Sequence, residues 1–310
     1  MTRVCVIGGA GFIGLHVVET LVARGRHITV VGRSVAPSRA LPKGVRYVPG
    51  DYGDAAFLRE VLKDVDEVIH LAYSTVPGTS FEDPIQDILR NLPPAVRLLE
   101  VASSLALGKI VLISSGGTVY GQALRLPITE DHPTNPISPY GVTKLAIEKY
   151  GLLFHQVKAL PVVFVRPSNA YGAGQRPFVG QGLVATAIVS VIQQKELLLY
   201  GQAEPVRDYI HVTDVAEGIV AALESGAPGS CYNLGSGAGK SNQDVLDAVC
   251  VLAQSSGMEA RVRMLPPREF DVKANVLESG KLNRDTGWKA TIPFREGIER
   301  TWNWFLSHPQ

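Results

Sequence analysis

The first two dozen residues constrain the fold more than any other stretch of the chain. A β-branched run, RVCVI (residues 3–7), leads directly into GGAGFIG (residues 8–14), and apolar residues then recur at helical spacing over residues 15–23. A strand, a glycine-rich turn and a helix in this order offer free backbone N–H groups and the positive end of a helix dipole to an anion. Side chains at Gly8 or Gly11 would block the turn or the approach of a pyrophosphate, and Gly14 lets helix and strand pack closely. The stretch predicts a dinucleotide-binding unit.

Length and composition limit the class of protein. The chain has 310 residues and a formal net charge of +1, which suffices for a substantial core in one large domain or two joined lobes. Near-neutral charge gives no support for binding to nucleic acid or a membrane surface. No apolar run approaches the roughly 18 residues of a membrane span, and the first strand begins at once, so we expect no signal peptide. Three widely spaced cysteines are typical of a reducing cytoplasm, and we expect no metal site.

Strand and helix patterns alternate as far as about residue 170. This alternation predicts an α/β fold with a doubly wound, Rossmann-type parallel sheet. We expect strands at residues 27–31, 45–48, 67–72 and 110–113. The helical pattern over residues 83–107 is expected in two parts, because Pro93 and Pro94 interrupt it.

The end of the second predicted strand faces the adenosine ribose of a bound dinucleotide. Nicotinamide-binding folds often place an acidic residue there to hold the ribose hydroxyls, whereas this chain has Gly32-Arg33-Ser34. Arg33 and Ser34 suit a 2′-phosphate better than a bare diol, which favours NADP over NAD. If Arg33 instead stacks on the adenine or lies in solvent, NAD remains open. Asp51 ends the third strand, where it can accept a hydrogen bond from the adenine amino group.

A second motif, SPYGVTK (residues 138–144), opens a helix and places Tyr140 and Lys144 on one helix face. A nearby ammonium favours the phenolate and lowers the pKa of a phenol. Tyr140 then becomes a usable acid or base near neutral pH. This spacing alone is common on protein surfaces. Together with the glycine-rich turn and the preceding SSGGTVYG segment, it predicts a catalytic pair.

Six motifs follow one another along the chain: GGAGFIG, SSGGTVYG, SPYGVTK, RPSNAYG, VRDYIHVTD and YNLGSG. In this order and at these separations the chain resembles the extended short-chain dehydrogenases/reductases of the NAD-dependent epimerase/dehydratase family, which includes the UDP-galactose (UDP-glucose) 4-epimerases. The resemblance covers essentially the whole chain. It implies a dinucleotide-binding domain over residues 1–167. Residues 168–310 would form a smaller, mainly substrate-binding α/β lobe, with some segments that return to the first domain.

The resemblance implies a nucleoside-diphosphate-sugar epimerase, foremost a UDP-hexose 4-epimerase. Tyr140 would take a proton from the sugar C4 hydroxyl while hydride passes to tightly bound NAD or NADP, and the same hydride would return to the opposite face. An NADPH-dependent reductase of a 4-keto sugar nucleotide is the alternative, and a non-catalytic nucleotide-binding protein is a second one. A cytoplasmic homodimer, packed through the helices that include the Tyr140 helix, is also implied.

Besides the catalytic candidates, the predicted site residues fall into two groups. The cofactor contacts are Gly8, Gly11, Phe12, Ile13, Gly14, Arg33, Ser34, Asp51, Tyr52, Leu71, Ala72, Tyr73, Asn91, Ser114, Tyr140, Lys144 and Pro167. By resemblance, the substrate contacts are Asn169, Arg207, Arg268 and Asp271. Asn169 would contact the phosphates, the two arginines the diphosphate, and Asp271 a ribose hydroxyl. A structural salt bridge to a neighbouring aspartate is the other interpretation of Arg207.

Two departures from the family pattern bear on the reaction. The epimerases usually carry Ser or Thr four residues before the Tyr of the VYG motif, where it bridges the sugar hydroxyl and the catalytic Tyr. Here that position is Gly116, so Thr118, Ser115 or a water must take over, and Thr118 is our first choice. Hexose 4,6-dehydratases carry an Asp-Glu pair just before VYG. Gly117 and Thr118 stand there instead, so we do not expect dehydration.

Overall fold

A computed structural model describes residues 2–201, 205–266 and 272–309. The strands, numbered along the chain, are β1 (Arg3–Ile7), β2 (His27–Gly32), β3 (Arg46–Pro49), β4 (Glu67–His70), β5 (Lys109–Ile113), β6 (Val162–Pro167), β7 (Asn169–Tyr171), β8 (Glu196–Tyr200), β9 (Val206–His211), β10 (Cys231–Leu234), β11 (Gly239–Ser241), β12 (Arg261–Leu265) and β13 (Ala274–Asn275). The helices are α1 (Phe12–Ala23), α2 (Ala55–Leu62), α3 (Pro84–Ala102), α4 (Pro139–Lys158), α5 (Leu183–Ile192), α6 (Val212–Ser225), α7 (Asn242–Ser255), α8 (Gly280–Thr286) and α9 (Phe294–Ser307).

A seven-stranded parallel sheet forms the centre of the described structure. Its strand order is β10-β6-β5-β4-β1-β2-β3, and β1 pairs with both β2 and β4. The strand order therefore reverses between β1 and β4. In open α/β sheets, ligands bind outside the carboxyl ends of the strands at such a switch point. The predicted doubly wound parallel sheet is confirmed, and its switch point lies directly after the glycine-rich turn.

Helices cover both faces of this sheet. Helices α1 and α6 pack on one face, where Val17, Leu21 and Ile219 are fully buried, and α2, α3 and α4 pack on the other, with Leu58 and Leu98 buried. Because both faces are covered, the central strands read as continuous apolar runs rather than alternating ones. The apolar residues that identify the strands in the sequence are thus the ones that form the core.

A second group of elements lies beyond β6. Strands β7, β11 and β13 pair with β9, and β12 pairs with β8. Helices α5, α7 and α9 bury a separate core that includes Ile188, Val249, Trp302 and Phe305. In contrast, β10 joins the central sheet, and α6 and α8 pack on it. Segments after residue 167 therefore return to the central sheet, while the domain division at that residue stays a prediction.

Helix α3 is continuous from Pro84 to Ala102, so the predicted break at Pro93 and Pro94 is wrong. Each proline removes a backbone donor and crowds the preceding turn, which normally ends or kinks a helix. Here the residues that follow, including Ala95 and Leu98, are buried against the sheet and α4. Burial of that apolar face outweighs the lost hydrogen bonds.

The described part of the chain contains neither a candidate membrane span nor a candidate metal site. None of its helices combines the length and the apolar character needed to cross a bilayer. No group of three or more His, Cys, Asp or Glu side chains comes together there as metal ligands would.

A buried carboxylate fixes β9 beside the carboxyl ends of the central strands. Asp208 is fully buried, and it accepts hydrogen bonds from the backbone N–H groups of Ser236 (2.8 Å), Gly237 (3.2 Å) and Leu277 (3.1 Å) and from the Ser236 hydroxyl (2.6 Å). Burial raises the pKa of Asp208, and these hydrogen bonds oppose the increase. The carboxylate joins β9 to the turn after β10 and to the chain after β13, and so fixes the strand that carries Arg207.

We expect Asp208→Ala to lower the melting temperature by about 5–10 °C, because the buried N–H group of Leu277 and the partly buried ones of Ser236 and Gly237 would lose their acceptor, at up to roughly 1–3 kcal/mol each. Calorimetry or circular dichroism measures this. Asp64→Ala, at a carboxylate whose side chain is 72% exposed, is the matched control and should change the melting temperature by about 1 °C or less. Equal melting temperatures for the two variants would contradict this role of Asp208.

Candidate functional site

The glycine-rich turn leaves no room for side chains. Gly8 has φ +89°, and a Cβ there would lie 2.8 Å from the backbone nitrogen of Ala72. A Cβ on Gly14 would overlap the carbonyl oxygen of Gly8. The Gly11 N–H donates to that same carbonyl at 3.0 Å and closes the turn. Phe12 and Ile13 then begin α1. The backbone therefore lies bare at the helix N-terminus, as binding of a pyrophosphate requires.

A cavity of about 490 Å³ lies in front of this turn. The predicted cofactor contacts that line it are Gly8, Gly11, Arg33, Ser34, Asp51, Tyr52, Leu71, Ala72, Tyr73 and Asn91. Ser114 and Pro167 stand at the carboxyl ends of neighbouring strands, and the Ser114 hydroxyl is buried with no hydrogen-bond partner among the described residues. A bare cradle next to an unpaired buried hydroxyl fits a bound dinucleotide.

At the adenosine end, a tyrosine occupies the space where an acidic residue would stand. A Cβ on Gly32 would lie 2.6 Å from the hydroxyl of Tyr47, which donates to the Ser34 carbonyl at 2.7 Å. Arg33 and Ser34 are exposed at the cavity wall. Burial raises the pKa of Tyr52 to about 12, and the positive charge of Arg33 opposes this increase. The adenosine end is thus cationic and has no carboxylate at residue 32.

Lys144 is buried at the carboxyl end of β5. Its ammonium donates to the Ile113 carbonyl at 2.8 Å and lies over the Tyr73 ring, 4.0 Å from the ring centroid. The ring of Tyr140 is 5.7 Å from the same nitrogen and packs edge-on against Tyr73. Burial lowers the pKa of Lys144 to about 7, although the carboxylates of Glu148 and Asp87 raise it. Near neutral pH this lysine is therefore close to its titration midpoint.

Tyr140 is partly exposed, with its hydroxyl near Ser115. Burial and the negative charge of Asp87 raise the pKa of Tyr140 above its usual value, and the hydrogen bond with the Ser115 side chain lowers it. The expected net lowering of the phenol pKa by Lys144 is therefore wrong, because burial and Asp87 determine its direction. An additional positive charge in the neighbouring cavity would be needed to favour the phenolate.

The glycine at residue 116 does not leave a gap beside Tyr140. A Cβ there would overlap the side chain of Leu277 and lie 2.9 Å from the Arg166 carbonyl oxygen. The position therefore faces the protein interior. The Thr118 hydroxyl is buried without a partner among the described residues. Ser115 is better placed beside the Tyr140 phenol, and the role of Thr118 stays a prediction.

Two of the four predicted substrate contacts belong to the described part of the chain, and both line cavities. Asn169 and Arg207 line two adjoining cavities of about 520 and 180 Å³, and the smaller one also borders Ser115 and Thr118. The Arg207 guanidinium donates to the carbonyls of Val206 (3.0 Å) and Val272 (2.6 Å). The predicted contacts Arg268 and Asp271 lie outside the described residues.

Two residues of α3, the predicted contact Asn91 and the neighbouring Asp87, support the site through hydrogen bonds. The Asn91 carbonyl oxygen accepts from the backbone N–H and the hydroxyl of Ser74 at 2.9 and 3.0 Å, so it shapes the loop after β4. One turn earlier on α3, Asp87 is fully buried and accepts from the Thr143 hydroxyl at 2.6 Å. Sequence reasoning did not identify Asp87. The available signal was an acidic residue on the apolar face of α3, four residues before Asn91.

Comparison with known proteins gives consistent matches along the chain. The model of the family described as NAD dependent epimerase/dehydratase matches residues 4–235. The UDP-glucose 4-epimerase of Lacticaseibacillus casei is 32% identical over 334 residues, with 99% of this chain and 98% of that protein covered. The structure of a Thermus thermophilus UDP-glucose 4-epimerase in complex with NAD is 35% identical, with a TM-score of 0.91 and 99% and 100% of the two chains covered. That of the Thermotoga maritima UDP-glucose 4-epimerase with UDP-glucose is 27% identical, with a TM-score of 0.93 and full coverage of both.

Proposed function

Since this chain belongs to the NAD dependent epimerase/dehydratase family, we propose that it is a nucleoside-diphosphate-sugar epimerase, and specifically a UDP-hexose 4-epimerase. One observation carries the proposal. Tyr140 and Lys144 pack against Tyr73, which lines the cavity that fits a dinucleotide, and Tyr140 lies near Ser115, which borders the smaller of the cavities lined by Asn169 and Arg207. The similarity to UDP-glucose 4-epimerases over nearly the whole chain supports UDP-hexose as the substrate.

A tightly bound nicotinamide dinucleotide, NAD or NADP, would accept hydride from the sugar and return it. The residues assigned to hold it are those that line the 490 Å³ cavity, together with the turn at Phe12, Ile13 and Gly14, the strand ends at Ser114 and Pro167, and Lys144 and Tyr140. The bare cradle at Gly8 and the unpaired Ser114 hydroxyl support this assignment. A cationic nicotinamide would also supply the positive charge that the Tyr140 phenolate lacks.

The reaction assigns one task to each side chain around the sugar. Tyr140 removes the proton of the C4 hydroxyl and later returns a proton to the C4 oxygen when hydride adds to the opposite face of C4. Ser115 donates or accepts a hydrogen bond between the sugar oxygen and the phenol. Lys144, while protonated, stabilises the phenolate. Asn169 and Arg207 hold the diphosphate, with Arg268 and Asp271 as further contacts. Between removal and return of hydride, the 4-keto sugar would rotate within the cavity.

The chain lacks the acid–base pair of a dehydratase, because Gly117 and Thr118 stand before the VYG motif and neither carries a carboxylate. The reductase alternative uses the same Tyr140 and Lys144. Only Arg33 and Ser34 favour the reductase. These two residues suit NADPH that is consumed in the reaction, but they suit a cofactor that stays bound equally well. The two functions differ in stoichiometry, which makes them easy to separate.

The direct test is to incubate the purified protein with UDP-glucose or UDP-galactose and no added nucleotide. Interconversion of the two, resolved by chromatography, is the expected result. A protein that forms no epimer but consumes NADPH with a 4-keto sugar nucleotide would instead be the reductase. Binding of sugar nucleotide with neither reaction would favour the non-catalytic alternative.

We also propose a cytoplasmic homodimer, packed through α3 and α4. These adjacent helices expose apolar side chains at helical spacing: Ile85, Ile88 and Leu89 on α3, and Val142, Tyr150, Leu153 and Val157 on α4. Exposed apolar residues that are scattered need no explanation, but several at helical spacing on two helices that pack together are typical of an interface. The free thiols of Cys5, Cys231 and Cys250 fit a reducing compartment.

The first prediction from this function concerns the hydroxyl beside Tyr140. We expect Ser115→Ala to lower kcat by about 10- to 100-fold, because the hydrogen bond to the phenol and the sugar oxygen is lost, with Tyr140→Phe lowering it by about 10²–10⁴-fold. Thr118→Val, in the same cavity, tests the other predicted candidate and should lower kcat less than Ser115→Ala does. Steady-state assays of all three variants measure this, and a larger loss for Thr118→Val than for Ser115→Ala would reverse the assignment.

The second prediction concerns the contact between Arg33 and the adenosine ribose of the cofactor. We expect Arg33→Ala to weaken NADP⁺ binding by at least about tenfold, since a charge-assisted hydrogen bond contributes about 1.5–3 kcal/mol, while NAD⁺ binding changes less than about twofold. Calorimetric titration of protein stripped of nucleotide measures both. Lys43→Ala, an exposed cation on the same loop, is the control. Equal losses of affinity for NAD⁺ and NADP⁺ would indicate that Arg33 stacks on the adenine instead.

The third concerns the dimer. We expect Leu153→Glu to convert the protein to a monomer at micromolar concentration, because a charge would be buried in the apolar face. Val251→Glu, at a similarly exposed position on α7, should leave the mass unchanged. Sedimentation velocity gives both masses, and a wild-type monomer would refute the interface outright.

A further inference from the structure

A carboxylate without a cation partner is buried behind the predicted catalytic pair. Asp87 has no exposed surface. Among the described residues its oxygens accept from the hydroxyls of Thr143 (2.6 Å) and Thr75, while the Tyr73 hydroxyl makes a longer contact at 3.4 Å and the Asn91 amide one at 3.5 Å. A set of hydroxyl and amide donors suits an ionised carboxylate, which accepts and does not donate.

Burying a charge is costly unless it is stabilised, so an ionised group that is retained in the interior needs a compensating interaction. Salt bridges in the described structure do not supply one for Asp87. Lys144 is a buried cation that interacts electrostatically with Asp87 and lies one residue after Thr143 on α4. Asp87 and Lys144 therefore form an electrostatic pair at a distance, linked through Thr143.

Two carboxylates raise the pKa of Lys144, Glu148 more than Asp87, and the groups around Lys144 differ in whether a cation binds them. Glu148, one turn later on α4, is engaged by Arg166 of β6 in a bidentate pair at 2.9 and 2.6 Å, so its charge is offset. On β4, burial and the Lys144 charge lower the pKa of His70 to about 3, which leaves it neutral. Burial raises the pKa of Tyr73, which also stays neutral. Asp87 is the one charge near Lys144 in the described structure that no cation offsets.

We propose that Asp87 is a positioning residue of the epimerase reaction, which anchors through Thr143 the helical turn that carries Lys144 and whose negative charge stabilises the Lys144 ammonium. The proposal rests on the proposed function. The negative charge acts on Tyr140 as well, where it favours the protonated phenol. Asp87 thus sets the pH range in which the base is deprotonated while the lysine is protonated.

Removal of the Asp87 charge should change the pH dependence of kcat, which a purely structural role of Asp87 would not predict. Loss of a nearby negative charge lowers the pKa of every neighbouring group. In Asp87→Asn, Tyr140 would become deprotonated at lower pH, and Lys144 would lose its proton at lower pH. Both limbs of the bell-shaped dependence of kcat on pH should therefore move to lower pH, by about one pH unit.

The test compares kcat–pH profiles of four proteins: wild type, Asp87→Asn, Thr143→Val and Asp83→Asn. Asp83 caps the start of the same helix and is exposed, and asparagine caps equally well, so Asp83→Asn is the matched control and should leave the profile unmoved. Thr143→Val removes the hydrogen bond to Asp87 but keeps the Asp87 charge. It should therefore lower kcat several-fold without moving either limb of the kcat–pH profile. Asp87→Ser provides the charge-free variant if Asp87→Asn does not fold.

A measurement that needs no substrate tests the role of Asp87 independently of the proposed function. The ¹³Cε shift of Lys144 in lysine-labelled protein, assigned by its absence in Lys144→Arg, reports the pKa of Lys144 directly. This pKa should fall by about one pH unit in Asp87→Asn. A failure of the wild type to interconvert UDP-hexoses would contradict the proposed function alone. Unmoved limbs and an unchanged Lys144 pKa in the charge-free variant would overturn the role of Asp87.

Discussion

A lysine ammonium buried at the end of a parallel strand is the constraint on which the site depends. Lys144 is only 5% exposed, and its charge is supported by the Ile113 carbonyl, the face of the Tyr73 ring and two carboxylates farther away. No single one of these would compensate for the loss of water around a cation. The strand end, the loop after β4, α3 and α4 must all be in place for the charge to be tolerated. The central sheet is what holds these four segments together.

The same sheet explains why the proposed reaction site lies at the carboxyl ends of the strands, next to two groups of cavities. The carboxyl ends of β1 and β4 define the switch point, and the glycine-rich turn opens the dinucleotide side there. On the other side, β7 and β9 continue the chain toward Asn169 and Arg207, with β9 fixed by the buried Asp208. A sugar held between these sides would meet Tyr140 and Ser115 at one end and the nicotinamide at the other.

Much of this arrangement is readable from the sequence, because the signals are local. The strand–turn–helix at the N-terminus and the pairing of Tyr140 with Lys144 each depend on residues within a few positions of one another, and the alternation of local strand and helix patterns predicts the parallel sheet. What escaped prediction depends on distant contacts. Asp87 meets Thr143 across 56 positions, Tyr47 occupies the space at Gly32, and Leu277 occupies the space in front of Gly116. The continuity of α3 through Pro93 and Pro94 likewise depends on tertiary packing, which outweighs the local preference of proline.

The central claim is that hydride leaves C4 of the sugar and returns to the same carbon within one binding event. The most direct measurement uses UDP-glucose deuterated at C4, incubated with the purified protein and no added nucleotide, with the deuterium in the product followed by mass spectrometry and NMR. The proposed function predicts UDP-galactose that retains the deuterium at C4. Product that has lost the deuterium to solvent, or label found in a stoichiometrically consumed nucleotide, would contradict it.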